Sequence, residues 1–353
     1  MAKLRKTLPR DFKEIVALGD AEAIKAALQK CLPDAYEDNA VKQSALMFTA
    51  LPEEVVVWLV REYGADVNYA DLYGATPLSE AAVRRPERID LLLSLGAAID
   101  FQKDGCPTAL MFAAMAYSVA GVRKLAECGA NLSLTGGHSR LNALEQALAR
   151  CQNIDIPAMA AIARIFLDAG MEISDDMREC VAQIGRNFEF YRDSFAEDYL
   201  PACDAGLREL YQLFGVPPVP TMKKYDGSAP IAVKGKTWTE QYSELWELLV
   251  PGSGKAPYLQ GEAIRLIGRL SYEILDNGGV NWDDDFRAMR DALAEILTQG
   301  VPADEEIIQA VRKISPRTDE ATFNRLAKAV VEWILANPSP LELEEHITLT
   351  YIR

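Results

Sequence analysis

The sequence predicts an all-α chain: a repeat solenoid followed by a separate helical domain, with room for one short two-stranded element. Three observations carry this expectation. A polar residue followed by Ala or Pro and then Leu returns at a nearly fixed interval through the first half. The apolar residues between these marks are spaced three and four apart, the period of a helix face. Near residues 215–220 the repetition stops at a proline-rich stretch, and helical spacing continues without it. The expected division is 1–215, about five repeats with closing helices, and 221–353.

The marks are Ser44-Ala-Leu46, Thr76-Pro-Leu78, Thr108-Ala-Leu110 and Asn142-Ala-Leu144, at steps of 32, 32 and 34. A second series is Gly64-Ala-Asp-Val-Asn68, Gly96-Ala-Ala-Ile-Asp100, Gly129-Ala-Asn-Leu-Ser133 and Gly170-Met-Glu-Ile-Ser174, at steps of 32, 33 and 41. Two motifs keeping nearly one period are the signature of a repeat array. Each has a mechanical reason. Ser44, Thr76, Thr108 and Asn142 can cap a helix by accepting from its free N–H groups. Pro77 suits the first helical turn. The small pairs Ala81-Ala82 and Ala113-Ala114 allow close helix approach. The glycines at 64, 96, 129 and 170 end the second helix in a left-handed conformation. A degenerate first unit is expected at 8–32, with Ile15, Val16, Leu18, Ile24 and Leu28 as its apolar face, and a closing helix pair at Met177–Leu213. Terminal units of an array are atypical because one face lacks a repeat neighbour.

The stretch from Asp71-Leu-Tyr-Gly-Ala-Thr-Pro-Leu-Ser-Glu-Ala-Ala82 to Leu91-Leu-Leu-Ser-Leu-Gly-Ala-Ala-Ile-Asp100 resembles the ankyrin repeat. Ser79 stands where that family usually has His, and Met47 and Met111 replace it in neighbouring units. The units starting near 39, 103 and 137 match less well, and the last carries an insertion around Asn153–Pro157. The resemblance spans roughly 8–213. It implies binding through turn tips, here Val41, Leu72, Tyr73, Asp104 and Ser139, and through the inner faces of the first helices, here Phe48, Glu80, Phe112, Met115 and Gln146. Phe48, Glu80 and Phe112 lie 32 apart and are expected to form one row. An aromatic on a wet face is a binding anchor; the alternative is packing against the chain itself.

Phe214-Gly-Val-Pro-Pro-Val-Pro220 stops helices. Beyond it, helices are expected from Thr237 or Thr239 to Val250, from Pro257 to Asp276, from Asp283 to Leu297, and near 303–314 and 319–336. Short strands are expected at Ile231–Val233 and His346–Ile352. Glu-Leu-Trp-Glu-Leu-Leu-Val-Pro251, Gln260-Gly-Glu262-Ala-Ile-Arg265 and Asn277-Gly-Gly-Val-Asn-Trp282 resemble an uncharacterised helical region of bacterial proteins, which implies no activity. Glu262, Arg265, Arg269 and Glu273, spaced 3, 4 and 4, share one helix stripe. Read functionally they are paired carboxylates bracketed by Arg; read structurally they are a ladder of intrahelical ion pairs. Buried against Gln260 and Trp282, they would form a polar specificity network.

Gly235-Lys-Thr237 lacks the first glycine of a phosphate loop, since position 230 is Pro. Gly252-Ser-Gly-Lys255 is followed by Ala256 and reads as a turn. Asp283-Asp-Asp285 reads as a helix N-terminus rather than a cation site. His138 and His346 stand alone, and the six Cys at 31, 106, 128, 151, 180 and 203 form no CxxC pair. No catalytic residue, metal or cofactor is therefore assigned.

With 37 Lys+Arg against 52 Asp+Glu the net charge is −15. Residues 1–220 hold 22 basic and 31 acidic residues, net −9. Such a chain repels phosphate backbones and anionic lipid. No secretory leader follows the basic start, and the most apolar run, Ala109–Gly121, falls short of a span. A cytoplasmic location is expected. The leading reading is a non-enzymatic module that binds another, basic protein; bacterial immunity proteins, which cover a toxin's active site, are acidic binders of this kind. The alternatives are an enzyme or small-molecule binder in 221–353 with the repeats as its targeting arm, or a scaffold joining two partners.

Overall fold

The computed structural model describes residues 4–221, 224–343 and 349–352. The fold is all-α, and the sheets among the described residues are two small two-stranded pairings. The chain divides into two compact units. The first is Met1–Arg186 with Glu197–Pro218, and the second is Asn187–Ala196 with Val219–Arg353. The segment 187–196 thus counts with the second unit, although the sequence expectation placed it in the first.

The first unit opens with β1 (Arg5–Thr7), which pairs in parallel with β2 (Cys31–Tyr36) around α1 (Phe12–Ala17) and α2 (Ala21–Leu28). Asp20 caps α2, accepting from Glu22 and Ala23 N–H at 3.0 and 3.2 Å. Phe12 and Val16, four apart, face the core with Ile24 and Leu28. Leu18 was expected among them but is 80% exposed. It lies two residues past Val16, which turns it to the opposite side of the helix.

The next unit departs further. Ser44 caps no helix: Ala45–Met47 is one 3₁₀ turn, and the Ser44 hydroxyl is buried without a partner among the described residues. Leu51 precedes Pro52, which disfavours helix at that residue, and α3 (Glu53–Arg61) starts directly afterwards. Carbonyls of this segment are bonded by the following unit. Arg85 donates to Thr49 O at 2.8 Å, and the buried Arg88 donates to Phe48 O at 3.4 Å and to Leu51 O.

Regular helix pairs follow: α4 (Pro77–Arg84) with α5 (Ile89–Ser94), α6 (Ala109–Met115) with α7 (Val119–Glu127), and α8 (Ala143–Arg150) with α9 (Ile156–Asp168). Each first helix begins in a capping box. Thr76, Thr108 and Asn142 accept from the N–H three residues on, at 3.2, 3.2 and 3.0 Å. In return the cap's own N–H donates to Ser79 Oγ, Met111 Sδ and Glu145 Oε2. The residue that varies between repeats therefore varies within one job. The glycines at 64, 96, 129 and 170 all have positive φ, 81 to 98°.

A second regularity ties repeat to repeat. Asp34, Asn68 and Asp100 accept from the backbone N–H of Asp66, Ala98 and Asn131 at 2.8, 2.8 and 2.9 Å. At Gly121 a Cβ would lie 1.9 Å from Ala82 O, so only glycine permits α7 its approach to α4. The hairpin β3 (Thr135–Gly136) and β4 (Leu141–Asn142), absent from the sequence expectation, precedes α8. Then come α10 (Asp175–Tyr191) and α11 (Leu200–Phe214), the latter ended by Gly215 at φ 66°.

In the second unit α12 (Trp238–Leu249) is capped by Thr237. Next is α13 (Leu259–Ser271), which runs into a π-helical turn, Tyr272–Asp276. After it come α14 (Asp284–Ile296), α15 (Glu305–Arg312) and α16 (Glu320–Ala336). Helix α13 is buried from Leu259 through Ile267 and packs on α12, α14 and α16, which makes it the core of this unit. No strand forms at Ile231–Val233. The Ile231 side chain is buried, its N–H bonds Pro338 O at 2.8 Å, and Lys234 N–H goes to Glu244 instead of a strand partner. Of the expected strand at His346–Ile352, residues 346–348 lie outside the described residues, and 349–352 is not a strand.

Candidate functional site

The turn joining the second and third repeats is braced from three sides. Asp71, 3% exposed, accepts from Tyr73 and Ala75 N–H at 2.8 and 3.0 Å through one carboxylate oxygen. Lys103 of the next loop donates to Ala70 O and Asp71 O at 3.3 and 3.1 Å. Leu72 N–H bonds Val41 O at 3.1 Å. Gly74 (φ 81°) lies so close to Cys106 that a Cβ would meet the Cys106 Cβ at 2.3 Å. On this turn Leu72 and Tyr73 are 57% and 64% exposed. Asp104 and Ser139, on the following tips, are exposed as well, and Gly137 N–H bonds Gly105 O at 2.9 Å. The brace, Asp71 with Lys103, was not anticipated as part of the site. The signal was the Asp-Leu-Tyr-Gly spacing, which allows an Asx-type turn.

The inner-face residues divide. Phe48 packs edge-on against Phe12, ring centroids 5.1 Å apart, and so serves the chain's own core. Glu80 is half-buried, pairs with Arg84 at 3.2 Å, and accepts from Gln43 Nε2 at 3.5 Å. Burial pushes its carboxyl above the usual range, and Arg84 opposes that. Phe112 and Met115 are half-buried. Gln146 does not belong to a wet face: it is 3% exposed and donates to Gly136 O and Leu141 O at 3.1 and 2.7 Å, inside the β3–β4 hairpin. A long amide that satisfies loop carbonyls cannot also reach a partner.

In the second unit the expected polar stripe separates into three sites. Gln260 donates to Asn337 O and Ser339 O at 2.9 and 2.8 Å and accepts from Leu341 N–H at 3.2 Å, which holds the segment after α16. Glu262 is fully buried. It accepts from Arg265 Nε at 2.9 Å, from Ala256 N–H at 2.8 Å and from the Tyr351 hydroxyl. Burial works against the Arg265 charge, but the Glu262 carboxylate outweighs it and raises the guanidinium's pKa. Burial first, then the same carboxylate, push the Tyr351 phenol far above its usual range. Glu273 belongs elsewhere: it accepts from Asn277 Nδ2 at 2.8 Å and from Asn281 N–H at 2.6 Å. Eleven residues of helix put Glu262 and Glu273 roughly 16 Å apart along the axis, beyond the separation at which two carboxylates flank one scissile bond.

Glu273 lines a cleft of 930 Å³ together with Tyr242, Trp246, Gly268, Arg269, Tyr272, Asn277, Asn281 and Phe286. Tyr242 and Trp246, one helical turn apart on α12, stack at 6.2 Å. Trp282 stacks on Phe286 at 5.9 Å, ahead of and inside the first turn of α14. Gly268 makes room for the indole, since a Cβ there would meet Trp246 at 2.4 Å. Burial pushes the Tyr242 phenol up to about 12. By spacing alone Tyr242 and Trp246, four apart with Leu245 and Leu249, are ordinary members of an apolar helix face. What sets them apart is the glycine they cover, which is on another helix.

Among the described residues no three His, Cys, Asp or Glu side chains converge to hold a metal, and no helix is long and apolar enough to cross a membrane. No family model matches the chain, and no curated protein matches it. Among solved structures it is similar to an ankyrin repeat domain from Acinetobacter baumannii AYE, with 23% identity over 58% of this chain and 98% of that one and a TM-score of 0.42. The helix-pair architecture rests on the capping boxes and the Asp/Asn ladder rather than on that likeness.

Proposed function

We propose that this chain is a non-enzymatic binding protein that captures another protein through the turn tips and inner helix face of its first unit. The observation that supports it best is the Leu72–Tyr73 pair. Two large apolar side chains stand in solvent on a turn whose backbone is fixed by Asp71, Lys103 and Val41. Apolar anchors on a rigid support lose little entropy on binding, which is the economy of preorganised recognition. Asp104 and Ser139 extend the surface, with Glu80, Phe112 and Met115 as partial contributors. The net −9 of residues 1–220 suits a basic partner. An immunity protein that neutralises a cognate basic toxin is the specific form of this reading.

The test is a Leu72→Ala/Tyr73→Ala double variant. Both side chains are largely exposed, so thermal stability is expected to stay within about 0.5 kcal/mol. Affinity for a partner captured by the wild type is expected to fall at least about tenfold, as for anchor residues. Wild-type affinity is also expected to weaken as salt is raised. Unchanged capture by the double variant overturns the reading.

A further inference from the structure

We propose that the aromatic cleft of the second unit is a binding site for a planar, uncharged nitrogen heterocycle that carries N–H donors, the chemistry of a purine base or nucleoside. This goes beyond the protein-binding reading and stands without it.

The cleft has the size of small-molecule sites. Tyr242 and Trp246, stacked on each other, line it from α12 and Phe286 lines it from α14, with Trp282 stacked on Phe286, and Tyr272 stands 66% exposed at its edge. Flat rings of this kind accept the face of another ring. On the polar side the two asparagines present acceptors. Glu273 takes the Nδ2 group of Asn277 at 2.8 Å and that of Asn281 at 3.3 Å, along with the Asn281 N–H. With both amide NH₂ groups turned to Glu273, the Oδ1 atoms of Asn277 and Asn281 are left as acceptors, and no hydrogen bond reaches them among the described residues. Side-chain amides reading ring-edge donors is how proteins discriminate heterocycles.

Charge narrows the class. Arg269 and Glu273, one helical turn apart on the cleft wall, offset each other. With those charges offset, an organic cation finds no counter-charge on the wall. A phosphate finds none either, and meets a chain of net −15. An uncharged heterocycle meets neither penalty. The π-helical turn Tyr272–Asp276 adds an independent pointer, because such turns concentrate at functional positions. Here it sets Tyr272 and Glu273 on the cleft while Asn277 N–H closes onto Tyr272 O at 3.0 Å.

The experiment titrates the full chain with adenosine, guanosine, adenosine monophosphate and choline, read by tryptophan emission and by ligand-observed NMR. Adenosine or guanosine is expected to saturate the signal, and to bind more tightly than the monophosphate and choline. Trp246→Ala is expected to weaken binding about tenfold, the effect of removing one stacking partner. Because Trp246 packs on Gly268 and its loss can loosen the fold, Tyr272→Ala and Asn281→Ala, both at exposed positions, serve as second variants. Each is expected to weaken binding at least threefold with an unchanged circular dichroism spectrum. No saturable nucleoside binding, preference for choline or for the monophosphate, or nucleoside binding that both exposed-site variants leave unchanged would each overturn the proposal.

Discussion

Glu262 is the residue on which the second unit's polar interior turns. Its carboxylate is wholly buried and holds Arg265, the Ala256 N–H and the Tyr351 hydroxyl at once. Removing the cation alone leaves a buried charge uncompensated. Arg265→Ala is therefore expected to cost about 3–5 kcal/mol in urea unfolding. Tyr351→Phe, which deletes one donor and keeps the ring, is expected to cost about 1–3 kcal/mol. Equal midpoints for Arg265→Ala and the wild type would contradict the account. The sequence supplied the spacing of Glu262 and Arg265 but not Tyr351. A partner 89 residues away leaves no local periodicity. Gln146 shows the converse: its helical position is legible, but its burial depends on a hairpin that Gly136 and Leu141 form ahead of it.

Elements were legible wherever local chemistry decides them. Thr76, Thr108, Asn142 and Thr237 cap helices because a side-chain oxygen and a backbone N–H three residues on need nothing from elsewhere. Ser44 carries the same signature and fails. Only nine residues separate Ser44 from Glu53, where α3 begins, against eleven between Thr108 and Val119, so there is no length for a full helix and a turn. The sequence contained that shortage, but the fixed period of the marks concealed it. The strand expected at Ile231–Val233 fails for another reason: its β-branched residues suit a half-buried extended segment, and among the described residues no second strand lies beside them. Helix contact supplies a sharp test. Gly121→Ala must push α7 away from the Ala82 carbonyl, and is expected to destabilise the first unit by about 1–3 kcal/mol, the range for overpacking. Ala126→Gly, on the same helix but half-buried, is expected to cost no more than about 1 kcal/mol. Comparable losses in the two variants would remove the close-approach argument.

At the scale of the whole chain, the division into two units does not follow the order of residues. Asn187–Ala196 interrupts the first unit between Arg186 and Glu197, yet counts with the back unit. Phe190 packs on the back unit's core, and Lys224 lies 3.8 Å from its ring centroid. A fragment starting at 221 gives up that ring. Full burial of a Phe contributes about 1.5–3 kcal/mol, and this one is partly buried. Phe190→Ala in the full chain is therefore expected to destabilise the second unit by about 1 kcal/mol in urea unfolding, and an unchanged midpoint would refute the assignment.

That borrowed segment has a consequence for how the two parts can be handled or exchanged. The proline-rich stretch near 220 invites scissors, yet a cut there hands each daughter chain the wrong inventory. The forward piece keeps an aromatic end with nowhere to insert, and the rear piece has a vacancy where that end belonged. Grafting either half onto a foreign protein without its counterpart carries the same defect, so any portable cassette for the rear portion has to bring Asn187–Ala196 with it.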